Sequence, residues 1–239
     1  MLILNNIKKN YGGFTAVKNL SIKLDAGEFY GFLGPNRAGK TTTIKMIVGL
    51  LKPTSGEMSL NSINLTDSSL EGKKIIGYVP DQPFLYDKLT GKEFLYFSGG
   101  LYNIPKKELK TKIEELVSIL KIDNWIDKRT EDYSQGMKQR IAIASALLHD
   151  PQLIVIDEPM VGLDPQSAFI VKQLLKKKIA EGVTIFMSTH ILQIAEELCT
   201  KIAIIKDGEK IFEDSREGLQ RFKENHEASL ESLFFELTK

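Results

Sequence analysis

The chain is short of the residues that would place it outside a reducing compartment or inside a bilayer. It has one cysteine, Cys199, which excludes an internal disulfide framework; a lone thiol near a helix end reads as a small buried apolar residue. No apolar run approaches the about 18 residues that a spanning helix needs. The N-terminus, Met1-Leu2-Ile3-Leu4-Asn5-Asn6, is too short and polar for a signal peptide. The expectation is a soluble cytoplasmic chain, with any membrane path supplied by another polypeptide. Charge of one sign is lacking too: 32 basic residues face 31 acidic ones, so no nucleic acid or other polyanion is expected as a partner. Internal repeats and low-complexity segments are absent, and the single tryptophan, Trp125, reads as core.

What the chain does have is an alternation of strand and helix patterns, which argues for an α/β fold with mostly parallel strands. Its 239 residues suffice for one sizeable core with a subordinate subdomain. Short strands are expected around Val17 to Leu24, Phe29 to Leu33 and Ile75 to Val79. Helical patterns then run from Glu93 to Tyr102 and from Lys106 to Leu120. From Leu153 strands and helices alternate again, through Ile202 to Ile205 and a hairpin at Asp207-Gly208 into Lys210-Ile211-Phe212. The tail from Ser215 to Lys239 places Leu219, Phe222, Leu230, Leu233, Phe234 and Leu237 at amphipathic spacing, a short helical extension expected to pack on its own core.

The chemistry begins at Gly34-Pro35-Asn36-Arg37-Ala38-Gly39-Lys40-Thr41-Thr42, a G-x-x-x-x-G-K-[ST] pattern placed directly after the apolar run Phe29-Tyr30-Gly31-Phe32-Leu33. A strand, a glycine-rich turn and a helix start aim backbone N–H groups and the positive helix end at one spot, which suits phosphate. Lys40 is placed to reach the β- and γ-phosphates and the Thr41 hydroxyl to bind Mg²⁺. Kinases, GTPases, helicases and transport ATPases all fit this loop. A second apolar run, Leu153 to Ile156, ends in Asp157-Glu158-Pro159, as a buried parallel strand ends at a phosphate site. There Asp157 suits the outer coordination sphere of Mg²⁺ and Glu158 suits a general base for the attacking water.

Between the two lies Tyr133-Ser134-Gln135-Gly136-Met137-Lys138-Gln139-Arg140, with Ser134 where a helix N-cap belongs. Here the sequence resembles the ATP-binding cassette (ABC) ATPases, the nucleotide-binding subunits of ABC transporters. Their LSGGQ signature looks like YSQGM in the variant of many bacterial export-type subunits. The resemblance runs along nearly the whole chain. Tyr11 stands where the family stacks an aromatic on adenine, Met160 to Pro165 looks like the loop that crosses the dimer, and Ser188-Thr189-His190 looks like the segment of the switch histidine that contacts the γ-phosphate.

The resemblance implies a P-loop NTPase core of the ABC type, with an N-terminal antiparallel β portion and an inserted helical subdomain. Residues 1–85 and 150–213 would form the core, about 86–149 the helical subdomain and 214–239 the extension. It also implies an ATPase coupled to transport through a separate integral membrane permease, on the cytoplasmic face of the membrane. ATP and Mg²⁺ would lie at the interface of a head-to-tail homodimer or heterodimer, Gly34 to Thr42 and Tyr11 of one chain facing Ser134 and Gly136 of the other. Catalysis would fall to Glu158 and His190, and metal binding to Thr41, Asp157 and Asp81. A single cassette serving a soluble complex outside transport is the alternative.

Two positions depart from the pattern. Asp81 stands at the family's glutamine, with Gln82 one residue late, and its oxygen still suits Mg²⁺. Arg37 replaces the central glycine of GPNGAGKTT. If residue 37 needs positive φ, weak binding or slow turnover is the expectation; otherwise its guanidinium is free to project towards the dimer interface and strengthen binding.

Overall fold

The computed structural model describes residues 1–67, 70–226 and 229–239; of residues 222–226 it describes the backbone alone. β1 (Leu2–Tyr11) turns at Gly12-Gly13 into β2 (Phe14–Leu24), with Tyr11 opposite Phe14 in register. That strand begins three residues before the expected Val17, because the ladder continues to the hairpin tip. β3 (Phe29–Leu33), α1 (Lys40–Ile47), β4 (Ser55–Leu60), β5 (Ile63–Asn64), the short α2 (Leu70–Lys74) and β6 (Ile76–Val79) follow.

The chain then becomes helical: α3 (Gly91–Leu101), α4 (Lys106–Leu120), a 3-10 turn at Thr130–Asp132 and α5 (Gln135–Leu147). A capping box sets the start of α3. Thr90 Oγ1 accepts from Glu93 N at 3.1 Å, and Glu93 Oε2 accepts from Thr90 N at 2.8 Å, so the helix opens at Gly91 rather than Glu93. α4 has its expected bounds and buries Leu109, Ile113, Leu116 and Leu120 along one face.

β7 (Leu153–Asp157), α6 (Pro165–Ala180), β8 (Thr184–Thr189), α7 (Leu192–Leu198), β9 (Lys201–Lys206), β10 (Glu209–Ser215), α8 (Arg216–His226) and α9 (Leu230–Thr238) complete the order. The tail expected as one helical extension is two helices, because Ser229 caps a new start at α9. Leu219, Leu230 and Leu233 are buried in the main core, and Phe234 and Leu237 pack against it. The side chain of Phe222 lies outside the described residues.

Six strands form the central sheet in the order β10-β9-β3-β8-β7-β6, parallel throughout except for the antiparallel edge strand β10. A second sheet, β2-β1-β4-β5, is antiparallel. Alternate residues of β3 feed two cores: Tyr30 and Phe32 face the antiparallel sheet, while Phe29 and Leu33 face the helices. Burial of each such side chain contributes about 1.5–3 kcal/mol, which makes β3 the spine of the molecule. Tyr30 keeps its hydroxyl satisfied by donating to Glu213 Oε1 at 2.6 Å. Trp125 is only partly buried: Tyr133 meets it edge to face at 4.9 Å, and the Arg140 guanidinium lies 4.9 Å from its ring centre.

Candidate nucleotide site

Three neighbouring parallel strands, β3, β8 and β7, end on the same side of the sheet, and each delivers polar residues there. Open α/β sheets bind ligands at such carboxyl ends. After β3 the loop Gly34 to Gly39 curls into α1. A Cβ on Gly34 would lie 2.3 Å from the Ile205 carbonyl oxygen, and Gly39 has φ +110°, so neither position accepts a side chain. Lys40 Nζ donates to the carbonyls of Gly34 at 2.6 Å and Pro35 at 3.0 Å. Burial lowers its pKa, against the opposing pull of Glu158 and Asp157.

Asp157, at the end of β7, is buried and gathers two hydroxyls: Thr41 Oγ1 donates to Oδ2 at 3.0 Å, and Ser188 Oγ donates to Oδ1. Glu158 follows at φ +53°, which turns its carboxylate towards the end of β8. There it accepts from Thr189 Oγ1 at 3.2 Å, and His190 Nδ1 lies 2.8 Å from its Oε1. Asp81 completes an acidic wall. Its carboxyl is raised by burial first and then by the charge of Asp157, while His190 pulls it down. Nearby, the Tyr78 hydroxyl is pushed up to about 12 by burial, Asp157 and Asp81.

These groups surround a cleft of about 420 Å³. Of the residues expected from the sequence, Tyr11, Asn36, Arg37, Gly39, Lys40, Thr41, Thr42, Asp81, Asp157 and Glu158 line it. Gly34, Pro35 and Ala38 build the loop behind that surface, and His190 reaches the site through Glu158. Gln82, one residue after Asp81, is exposed and does not line the cleft. Ser134 and Gly136 do not line it either. Ser134 is exposed and accepts from Met137 N at 3.3 Å as the N-cap of α5, whereas Gly136 is buried against the Gly162 backbone.

Sequence reasoning missed Phe14 and Ala16, which line the cleft beside Tyr11, and the hydroxyl of Ser188 on Asp157. An aromatic directly across a Gly-Gly turn from Tyr11 was the available signal for Phe14. Among the described residues, no three carboxylate, imidazole or thiol groups converge as a metal cage.

The family model described as ABC transporter matches residues 17–161, more than half of the chain. The chain belongs to this family. It is 40% identical over 211 residues to the linearmycin resistance ATP-binding protein LnrL of Bacillus subtilis (strain 168), covering 88% of this chain and 68% of that one. Its fold is similar to a solved ATP-binding subunit of an ABC transporter, with a TM-score of 0.92, 31% identity and full coverage of both chains. It is also similar to a dimeric ATP-binding cassette, MJ0796, in a post-hydrolysis state bound to ADP and Pi: the TM-score is 0.83 at 30% identity, covering 90% of this chain and 99% of that one. The ABC chain is thus an ATP-binding and ATP-hydrolysing subunit that powers a separate membrane subunit.

Proposed function

We propose that the cleft is one half of a composite ATP site, completed by the Ser134 end of α5 on a second cassette, either another copy of this chain or a sister subunit. The observation that carries this reading is the separation of the two halves: the Gly34 to Thr42 loop and the acidic groups share one cleft, while Ser134 lies outside it on the same chain. The dimeric cassette holding ADP and Pi supports it. In such a dimer the backbone N–H groups of Gly34 to Thr42 and Lys40 hold the phosphates, Tyr11 stacks on adenine, and Ser134 and Gly136 of the opposite chain close the site.

The donor set fits Mg²⁺, a hard cation that takes one or two protein oxygens and completes its shell from water and substrate phosphates. Thr41 and Asp157 offer adjoining oxygens 3.0 Å apart, and Asp81, its carboxyl raised by burial and then by the charge of Asp157, lines the same cleft. These three residues would hold the ion, which neutralises charge on the phosphates. Glu158 takes the proton of the attacking water. His190 and Thr189 hold the Glu158 carboxylate in place, and His190 steadies the γ-phosphate. Hydrolysis removes charge that bridges the two chains, the dimer opens, and the membrane subunit moves.

Residues 1–85 and 150–213 act as the catalytic core, about 86–149 as a helical subdomain and 214–239 as an extension. The exposed aromatics Phe84, Tyr86 and Phe97 pack edge to face directly after the Asp81 loop. A contiguous apolar patch so close to the site is a docking surface, and the permease is its partner. That contact holds the chain on the cytoplasmic face of the membrane. Co-purification with an integral membrane protein, abolished by Phe84→Asp, tests this reading; a chain recovered only with soluble partners would favour the cassette that works outside transport.

A further inference from the structure

Among the described residues, ten other than glycine have positive φ. Six are Asn or Asp, which tolerate that conformation; Lys121 caps the end of α4 and Ser62 lies in the β4–β5 turn. The other two are Arg37, at φ +69°, and Glu158, and both line the nucleotide cleft. Backbone held in this region at a site points to a function that outweighs it. Arg37 is exposed and has no hydrogen bond or ion pair among the described residues, although Asp81, Asp157 and Glu158 line the same cleft. The other cation on that lining, Lys40, is turned onto two backbone carbonyls. Among the described residues, the free positive charge of the cleft is therefore Arg37.

We propose that Arg37 is a specificity-determining residue: its guanidinium binds the phosphate chain of the nucleotide and favours the triphosphate over the diphosphate. The proposal rests on the reading of the cleft as an ATP site. Arginine suits the task because its planar fork of donors matches phosphate oxygens and stays charged at any working pH. The positive φ from which weak binding was expected and a place on the cleft lining thus occur together: the backbone carries a conformational cost that glycine would not, and the charge of Arg37 outweighs it for the triphosphate.

The test is calorimetric titration of a non-hydrolysable ATP analogue and of ADP into the full chain with Mg²⁺, alongside thermal unfolding. Arg37→Gly is expected to weaken the triphosphate about tenfold, the worth of one charge-assisted hydrogen bond, to affect ADP less, and to raise the unfolding midpoint. Arg37→Gln is expected to lose affinity equally without the gain in midpoint, since it keeps the Cβ and loses the charge. Equal or tighter triphosphate binding by Arg37→Gly overturns the proposal. Lys40→Ala separates the two levels. If it abolishes binding while the Arg37 variants bind like the parent, Arg37 has no such role and the ATP site stands; if it too binds like the parent, the ATP-site reading falls and the proposal with it.

Discussion

Two helix starts in this molecule differ in how they are finished. α1 opens at Gly39, which offers no side chain to cap it, so the N–H groups of its first turn are left for a ligand. α5 opens at Ser134, whose hydroxyl already accepts from Met137 N. The first start faces a cleft lined by Asp81, Asp157 and Glu158; the second faces solvent. In the composite site proposed above, the uncapped helix end is the half that takes the phosphates. A self-capped end makes sense as the part that arrives later, brought by another chain.

The strongest attack on that contrast is at Glu158. Glu158→Gln keeps the shape and removes the base, so turnover should fall about 10²-fold or more while ATP still binds. The variant should then collect as an ATP-bound dimer on a sizing column, whereas parental turnover would remove Glu158 from the reaction. Next in size is Ser134→Ala, which should leave ATP binding by the isolated chain unchanged and reduce hydrolysis about tenfold, the worth of a hydrogen bond to a charged group. It should also lose about 1 kcal/mol of stability with the cap. Weaker ATP binding by the monomer would place Ser134 in its own chain's site. Gly136→Asp is a poorer probe, because a Cβ there would lie 2.8 Å from the Gly162 carbonyl oxygen and disturb the chain itself.

The smallest effect concerns Asp81. Its carboxyl is raised by burial and by Asp157, so ionising it costs more in the folded chain than in the unfolded one. The stability this contributes is complete below the unfolded value of about 3.9 and is lost as pH rises through the higher folded value. Asp81→Asn should therefore be more stable than the parent to urea at neutral pH, and the gap should close as pH falls towards about 4. A gap that does not change with pH would mean that the carboxylate feels no such cost. Mg²⁺ should narrow it at neutral pH by stabilising the parent.

The parts of the site legible in the sequence are those whose cues are local. The loop Gly34 to Thr42 is written within nine residues, and the apolar run before Asp157 announces its strand. Asp81 was reachable only by aligning flanking residues, and the cleft contains it rather than Gln82. What stayed hidden depends on contacts between distant segments. Phe14 reaches the cleft because the β1–β2 ladder continues to its tip, and Ser188 reaches Asp157 because β7 and β8 are neighbours in register. The contact of Gly136 with Gly162 likewise joins two loops that no single stretch of sequence brings together.

Gly31, in the middle of β3, lies against the chain's one thiol: a Cβ added there would sit 2.7 Å from Cys199 Sγ. The sulfur occupies the volume that the missing methyl group would need, so these two distant positions form a single packing decision. A cysteine-free version for attaching spectroscopic probes should accordingly be built as a pair. Cys199→Ala alone would leave a void, whereas adding Gly31→Ala would refill it from the opposite side, with the new methyl 3.4 Å from the retained Cβ.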